Sequence, residues 1–310
     1  MSDKMMQAIR FHDFGGPEVL VLEQVPVPQP EAGQVLVRVM AAGVNPADWK
    51  IRAGLYKPFR SLPLPFTPGL EAAGTVEAVG PDVTAFKPGQ AVFGPMNGGY
   101  AEYAIAAAGD LQPKPTNLTF EEAASVPIGA LTAWGSLIEE AKVQPGQRVL
   151  VQGAAGGVGM FGVQFAHWKG AYVIGTASAG NAEFVRSLGA DQVINYQAAP
   201  FETLVHDLDI VFDTVGGEVF ERSLKVLRKG GVLVTVAAQF APDMGQAQGV
   251  RVARGGRAPT GALGQIAGLL AAGKVKTCVS AVLPLSDARK SHEMSQTGHT
   301  RGKIVLKIAG

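Results

Sequence analysis

Residues 149–159 carry the clearest chemistry in the chain. Val149-Leu150-Val151-Gln152 is an apolar run that enters Gly153-Ala154-Ala155-Gly156-Gly157-Val158-Gly159, and residues 160–169 then read as a helix. A glycine turn between a strand and a helix start offers free backbone N–H groups and the positive end of the helix dipole to a pyrophosphate. Gly156 would admit phosphates close to the backbone, and Gly159 would let helix and strand approach. Ala154 stands where the pattern's first glycine is usual. Without a ligand, the same segment is simply a tight strand-to-helix turn.

The next strand decides which dinucleotide fits. An NAD site carries an acid about 20 residues past the glycines, where it binds the ribose hydroxyls. Here Thr176-Ala177-Ser178-Ala179-Gly180-Asn181 has no acid before Glu183. A carboxylate would repel a 2′-phosphate, whereas Ser178 could bond to it, so NADP(H) is the expected cofactor. Tyr196, after the third strand, offers a second hydroxyl. Ser178 has an alternative role as a helix cap. Further on, Asp213-Thr214-Val215-Gly216-Gly217 closes a fourth strand, where it would either line the nicotinamide ribose or only turn the chain.

These residues need a parallel sheet to hold them. Strands are expected at 148–152, 172–176, 192–195, 210–213 and 232–236 with helices between, the alternation of a doubly wound Rossmann sheet. A further strand is expected near 250–252 and a helix near 262–271. The connection 198–208 is short for a helix. Before this region the chain reads as β: 7–11, 19–25, 35–39, 73–79 and 90–93 are short aliphatic runs separated by Gly15-Gly16-Pro17, Pro26, Pro28, Pro30 and Gly33. Thr119 with Glu122 forms the capping box of a helix start. The tail returns to β at 276–284 and 303–308, around a helix at 286–295. The expected class is α/β: a partly open β-barrel domain, 1–125 plus 273–310, with a Rossmann domain, 126–272, inserted in it.

Composition narrows the function. A net charge of +1 gives no electrostatic case for nucleic acid or an anionic membrane. No apolar run is long enough to span a bilayer, and Met1–Gln7 lacks the apolar core of a signal peptide, so a cytoplasmic address is expected. One cysteine, Cys278, excludes an internal disulfide and any multi-cysteine metal site. Cys278 reads as a small buried hydrophobe. The five histidines show no metal or triad spacing.

Gly43-Val44-Asn45-Pro46-Ala47-Asp48, Thr67-Pro68-Gly69-Leu70-Glu71, Ala73-Gly74-Thr75-Val76, Gly98-Gly99-Tyr100-Ala101-Glu102-Tyr103, Ser187-Leu188-Gly189-Ala190-Asp191 and Gly302-Lys303-Ile304-Val305-Leu306, with the glycine turn and Asp213 to Gly217, come in a characteristic order. Together they resemble the zinc-independent quinone oxidoreductase family of the medium-chain dehydrogenase/reductase superfamily, over nearly the whole chain. The resemblance implies a GroES-like substrate domain around the Rossmann domain, with the nicotinamide in the cleft between them, and a homodimer. Zinc enzymes of the superfamily use cysteine at the position of Asn45, histidine at Leu70 and a third ligand near Ile128. None of these three is a good zinc ligand, so no metal is expected.

Without a metal to polarise it, the acceptor must already be electron-poor: a quinone or an α,β-unsaturated carbonyl. The expectation is therefore an NADPH-dependent reductase of quinones. The alternatives are a 2-alkenal or enone reductase and a non-catalytic NADPH-binding sensor. The resemblance implies that Asn45 donates to the substrate carbonyl or holds the cofactor ribose, and that Tyr56 is a proton donor. Asn45 could instead be a turn residue before Pro46, and Tyr56 a packing or lid residue; pocket size around Tyr56, Phe59 and Phe240 would separate quinone from enone.

The implied cofactor-binding set is Asn45, Thr132, Ala154, Gly156, Gly157, Val158, Gly159, Ser178, Tyr196, Val215, Gly216, Ala237, Arg301 and Lys303. Thr132 could equally bond helix backbone, and Arg301 and Lys303 could be solvated charges. A lysine that many relatives use to grip the 2′-phosphate is absent, with Asn181 and Ala182 nearby. Arg251, Arg254 and Arg257 either rim the cleft or lie on a solvated surface.

Overall fold

The computed structural model describes residues 4–56, 61–241, 243–256 and 258–309; Phe59 and Arg257 lie outside them. The chain forms two compact units: Met1–Ile128 with Leu263–Ala271 and Thr277–Gly310, and Gly129–Ala262 with Ala272–Lys276. The helix Ala262–Ala271 thus groups mainly with the first unit, although the sequence suggests the second. Its Leu270 carbonyl accepts from Asn117 Nδ2 at 3.0 Å.

In chain order the strands are β1 (Met5–Arg10), β2 (Val21–Pro26), β3 (Gln34–Val44), β4 (Glu71–Val79), β5 (Ala91–Pro95), β6 (Tyr103–Ala107) and β7 (Gln112–Pro113). The second unit follows with β8 (Arg148–Gln152), β9 (Tyr172–Ala177), β10 (Gln192–Asn195), β11 (Leu208–Asp213), β12 (Leu227–Thr235) and β13 (Arg251–Arg254). The chain closes with β14 (Val279–Pro284) and β15 (Lys303–Lys307).

The first unit has a sheet of order β14-β15-β3-β4-β5-β7, with β6 on β3 and a separate β1–β2 pair. β3 is its centre, antiparallel to β4, β6 and β15. Neighbours on both sides bury most of it, which explains its nearly unbroken apolar run. Its inward side chains Val35, Val37 and Val39 join Phe11, Leu20, Val92, Tyr100 and Leu306 in one core. Register then places chemistry at one end. Val44 faces Ile304 and Ala42 faces Ala72, so Asn45, Lys303 and Glu71 all emerge where β3 stops.

The second unit is all parallel, order β10-β9-β8-β11-β12-β13. The chain steps outward from β8 through β9 and β10, then returns to the other side of β8 for β11. That reversal creates a switch point beside the carboxyl end of β8, where open α/β sheets bind ligands. Leu150, Ile174, Val211 and Leu233 from four adjacent strands anchor its core.

Several local readings meet the structure directly. Thr119 N donates to Glu122 Oε2 at 2.8 Å and Glu122 N to Thr119 Oγ1 at 3.1 Å, the expected capping box. Between β10 and β11 only the short turn Phe201–Thr203 is helical. Others differ. Asn45 does not merely turn the chain: it precedes a helix, Pro46–Arg52, whose Asp48 accepts from Asn45 N at 2.8 Å. Among the described residues, no helix is long and apolar enough to cross a membrane.

Candidate functional site

The glycine turn after β8 is built for close approach. Gly153 takes φ +68°, a left-handed conformation that favours glycine. A Cβ on Gly159 would lie 2.1 Å from Gly153 O, so only glycine lets the helix Gly159–Trp168 start there. Gly156 is different: its nearest neighbour would be Gly153 O at 3.3 Å, and the space in front of it is otherwise open. Gly157 and Val158 are half-buried. An open cradle of donors at a helix N-terminus fits a dinucleotide pyrophosphate.

Ala154 replaces a glycine without opening the turn. It is fully buried and donates its N–H to Thr176 O at 3.0 Å. Room for its methyl comes from Gly175 on β9, whose own Cβ would fall 2.9 Å from Ala154 Cβ. Buried side chains brace the turn from beneath. Thr176 Oγ1 donates to Gln152 Oε1 at 2.7 Å and accepts from Gly153 N at 3.1 Å.

At the end of β9, Ser178 does not cap the following turn with its side chain. Its Oγ instead accepts from Asn181 Nδ2 at 3.2 Å. Tyr196 follows β10 and is exposed. Val215 and Ala237 are exposed beyond β11 and β12, and Gly216 between them is buried. Thr132 lies in the helix Pro127–Trp134, and its hydroxyl has no backbone acceptor among the described residues. Arg251 pairs with Glu140, and Arg254 Nη1 donates to Ala238 O at 3.4 Å.

The first unit gathers a second group. Lys303 Nζ donates to Asn45 Oδ1 at 2.6 Å and to Glu71 Oε1 at 2.7 Å, and Asn45 Nδ2 donates to the same Glu71 oxygen at 2.8 Å. Ile128 N donates to Glu71 Oε2 at 2.6 Å. All three side chains are buried. Gly43 is required beside them, because a Cβ there would lie 2.2 Å from Glu71 Oε1. Lys303 is therefore not a solvated flanking charge. Arg301, two residues earlier, is exposed.

Asp48 lies in the same unit. It accepts from Asn45 N, from Gly69 N at 3.3 Å and from Tyr100 OH at 3.3 Å. Burial pushes its carboxyl up to about 7, against the opposing pull of Asn45 N and the Lys303 charge. Tyr100, also buried, is raised well above the usual phenol range, first by desolvation and then by Asp48. The Tyr100 ring meets His292 edge-on at 5.8 Å. Burial, then Arg52, lowers His292 to about 3, so it is neutral.

The structure thus brings Asn45 and Lys303 together but ties Tyr56 to neither. Tyr56 is 38% exposed, with no hydrogen-bond partner among the described residues. Glu71 and Asp48 were missed as site residues; the available signal was an acid opening the apolar run Glu71-Ala72-Ala73. Among the described residues, no three His, Cys, Asp or Glu side chains could hold a metal ion together.

The comparisons with known proteins bear on both units. Residues 31–116 match the alcohol dehydrogenase GroES-like domain family, and residues 188–306 match the family described as zinc-binding dehydrogenase. The chain is 37% identical to mouse quinone oxidoreductase, over 98% of each chain. It is 36% identical to the tomato 2-methylene-furan-3-one reductase, over 97% of this chain and 79% of that one. A solved mycobacterial protein complexed with NADPH superposes with a TM-score of 0.87 at 33% identity, covering 97% of this chain and 99% of its own. With both domains matched and this identity running end to end, the chain is an oxidoreductase that belongs to the quinone oxidoreductase family of the medium-chain dehydrogenase/reductase superfamily.

Proposed function

We propose that the protein is an NADPH-dependent, zinc-independent reductase that passes hydride to a quinone or another electron-poor acceptor. The observation carrying this reading is the open glycine cradle after β8 with Ser178, and no carboxylate, at the end of β9. Ser178, Asn181 and Tyr196 offer neutral donors to a 2′-phosphate. The mycobacterial relative, complexed with NADPH, supports the same choice. Zinc independence rests on Asn45, Leu70 and Ile128: the first is bound to Lys303 and Glu71, the second is aliphatic, and the third offers a backbone N–H to Glu71.

Bound reduced nicotinamide supplies the hydride. Lys303 holds the Asn45 amide by its oxygen and Glu71 takes one amide hydrogen, so the remaining Asn45 N–H has a fixed direction. It can donate to an oxygen of the acceptor or cofactor, and the nearby ammonium favours negative charge there. Tyr56, an exposed residue, is the proton donor in this reading.

Reduction of an activated C=C bond is the second reading, favoured by the likeness to the tomato reductase. Comparing kcat/KM for a naphthoquinone and a 2-alkenal with NADPH decides between them. A higher value for the quinone supports the first reading, and a higher value for the alkenal replaces it with the second.

A further inference from the structure

Asp213 ends β11 fully buried, and no ion-pair partner lies within reach among the described residues. An unpaired buried carboxylate is costly unless hydrogen bonds satisfy it. Asp213 makes three. Oδ1 accepts from Val215 N and Gly216 N, each at 2.9 Å, and Oδ2 accepts from the Thr235 hydroxyl at 2.7 Å. Thr235 is the last residue of β12 and is also buried.

The hydroxyl works as a relay. It has one proton and two acceptor sites. Because the proton goes to Asp213, the lone pairs turn to Ala237 N at 3.2 Å and Ala238 N at 3.1 Å. One carboxylate thereby fixes the loops after two adjacent parallel strands. The loops also abut: a Cβ on Gly216, at φ +78°, would lie 2.9 Å from Ala237 O.

Strand order gives this clasp its meaning. Ser178 follows β9, the glycine cradle follows β8, and the clasp follows β11 and β12, in the spatial order β9-β8-β11-β12. A dinucleotide with its 2′-phosphate at Ser178 and its pyrophosphate at the cradle carries its nicotinamide half toward the clasp. We propose that Asp213, acting through Thr235, is a positioning residue for the nicotinamide half of the cofactor; this rests on the NADPH reading above.

The test measures binding of NADPH and of 2′,5′-ADP, which lacks the nicotinamide half, to wild-type protein and to Asp213→Asn, Thr235→Val and Thr235→Ser. Asp213→Asn and Thr235→Val are expected to weaken NADPH by roughly tenfold, the scale of a lost buried hydrogen bond, and to raise its KM. Their affinity for 2′,5′-ADP should match wild type, and Thr235→Ser, which keeps the hydroxyl, should bind NADPH normally. If Asp213→Asn fails to fold, the valine and serine variants carry the same comparison. Variants that lose both ligands equally, or neither, overturn this proposal alone. Wild-type protein that binds neither ligand overturns the NADPH reading and this proposal with it.

Discussion

Lys303 Nζ and Glu71 Oε1 are 2.7 Å apart, and neither side chain is more than 4% exposed. Removing one partner of such a pair strands a buried charge, which costs about 3–5 kcal/mol. Lys303→Met is therefore expected to lower the unfolding free energy by an amount in that range, read from urea denaturation. The double variant Lys303→Met/Glu71→Gln should cost clearly less than the sum of the singles. Additive losses would mean that the pair is not coupled.

Asp48 and His292 should shape stability against pH in opposite directions. The Asp48 carboxyl titrates at about 7 in the fold and at about 3.9 in an unfolded chain. Between those values the native state holds the extra proton, so the Asp48 contribution falls as pH rises. His292 titrates at about 3 in the fold and at about 6.5 when unfolded. There the unfolded state holds the extra proton, so the His292 contribution grows as pH rises.

The two slopes oppose each other between roughly pH 4 and 6.5. Asp48→Asn should make unfolding free energy climb with pH across that window relative to wild type, and His292→Phe should make it fall. Denaturant midpoints at half-unit pH steps check this. Parallel profiles for all three proteins would contradict it.

The glycine turn yields a contrast between two alanine variants. Gly159→Ala forces a methyl against Gly153 O, so lowered stability and lost cofactor binding are both expected. Gly156→Ala meets only one atom at 3.3 Å, so it should fold with near-normal stability yet bind NADPH more weakly. Thermal unfolding and NADPH titration together check the pair. Equal behaviour of the two would show that the turn does not distinguish packing from ligand approach.

The parts of this architecture legible in the sequence are those set by neighbouring residues. The glycine turn, the Thr119 capping box and the strands on either side of β8 depend on residues a few positions apart. Long-range contacts were not legible. Lys303 could be read as a cofactor-binding residue or as a charge flanking an apolar strand, and its partner Glu71 was out of sight because it lies 232 residues away in sequence. The strand Tyr103–Ala107 was missed because its identity comes from pairing with β3. The short helix Pro46–Arg52 has local signals, Asn45 with Asp48 as a capping box and Pro46 at its first position, but in the sequence Asn45 reads as a site residue or a turn residue before Pro46 and not as a helix start.

In the proposed reading, cofactor choice follows from Ser178. Ser178→Asp would set a carboxylate against the 2′-phosphate, and the NADPH-to-NADH ratio of kcat/KM is expected to fall by about tenfold or more, worth ~1.4 kcal/mol or above. Steady-state kinetics with both cofactors checks it. An unchanged ratio would move the phosphate site away from the end of β9.

The most direct measurement is oxidation of NADPH and of NADH by the purified protein with a quinone acceptor, with and without a strong metal chelator. An NADPH-dependent, zinc-independent reductase should show turnover that prefers NADPH and is unchanged by chelator. Turnover abolished by chelator, turnover with NADH alone, or NADPH binding with no turnover on any activated acceptor would contradict it.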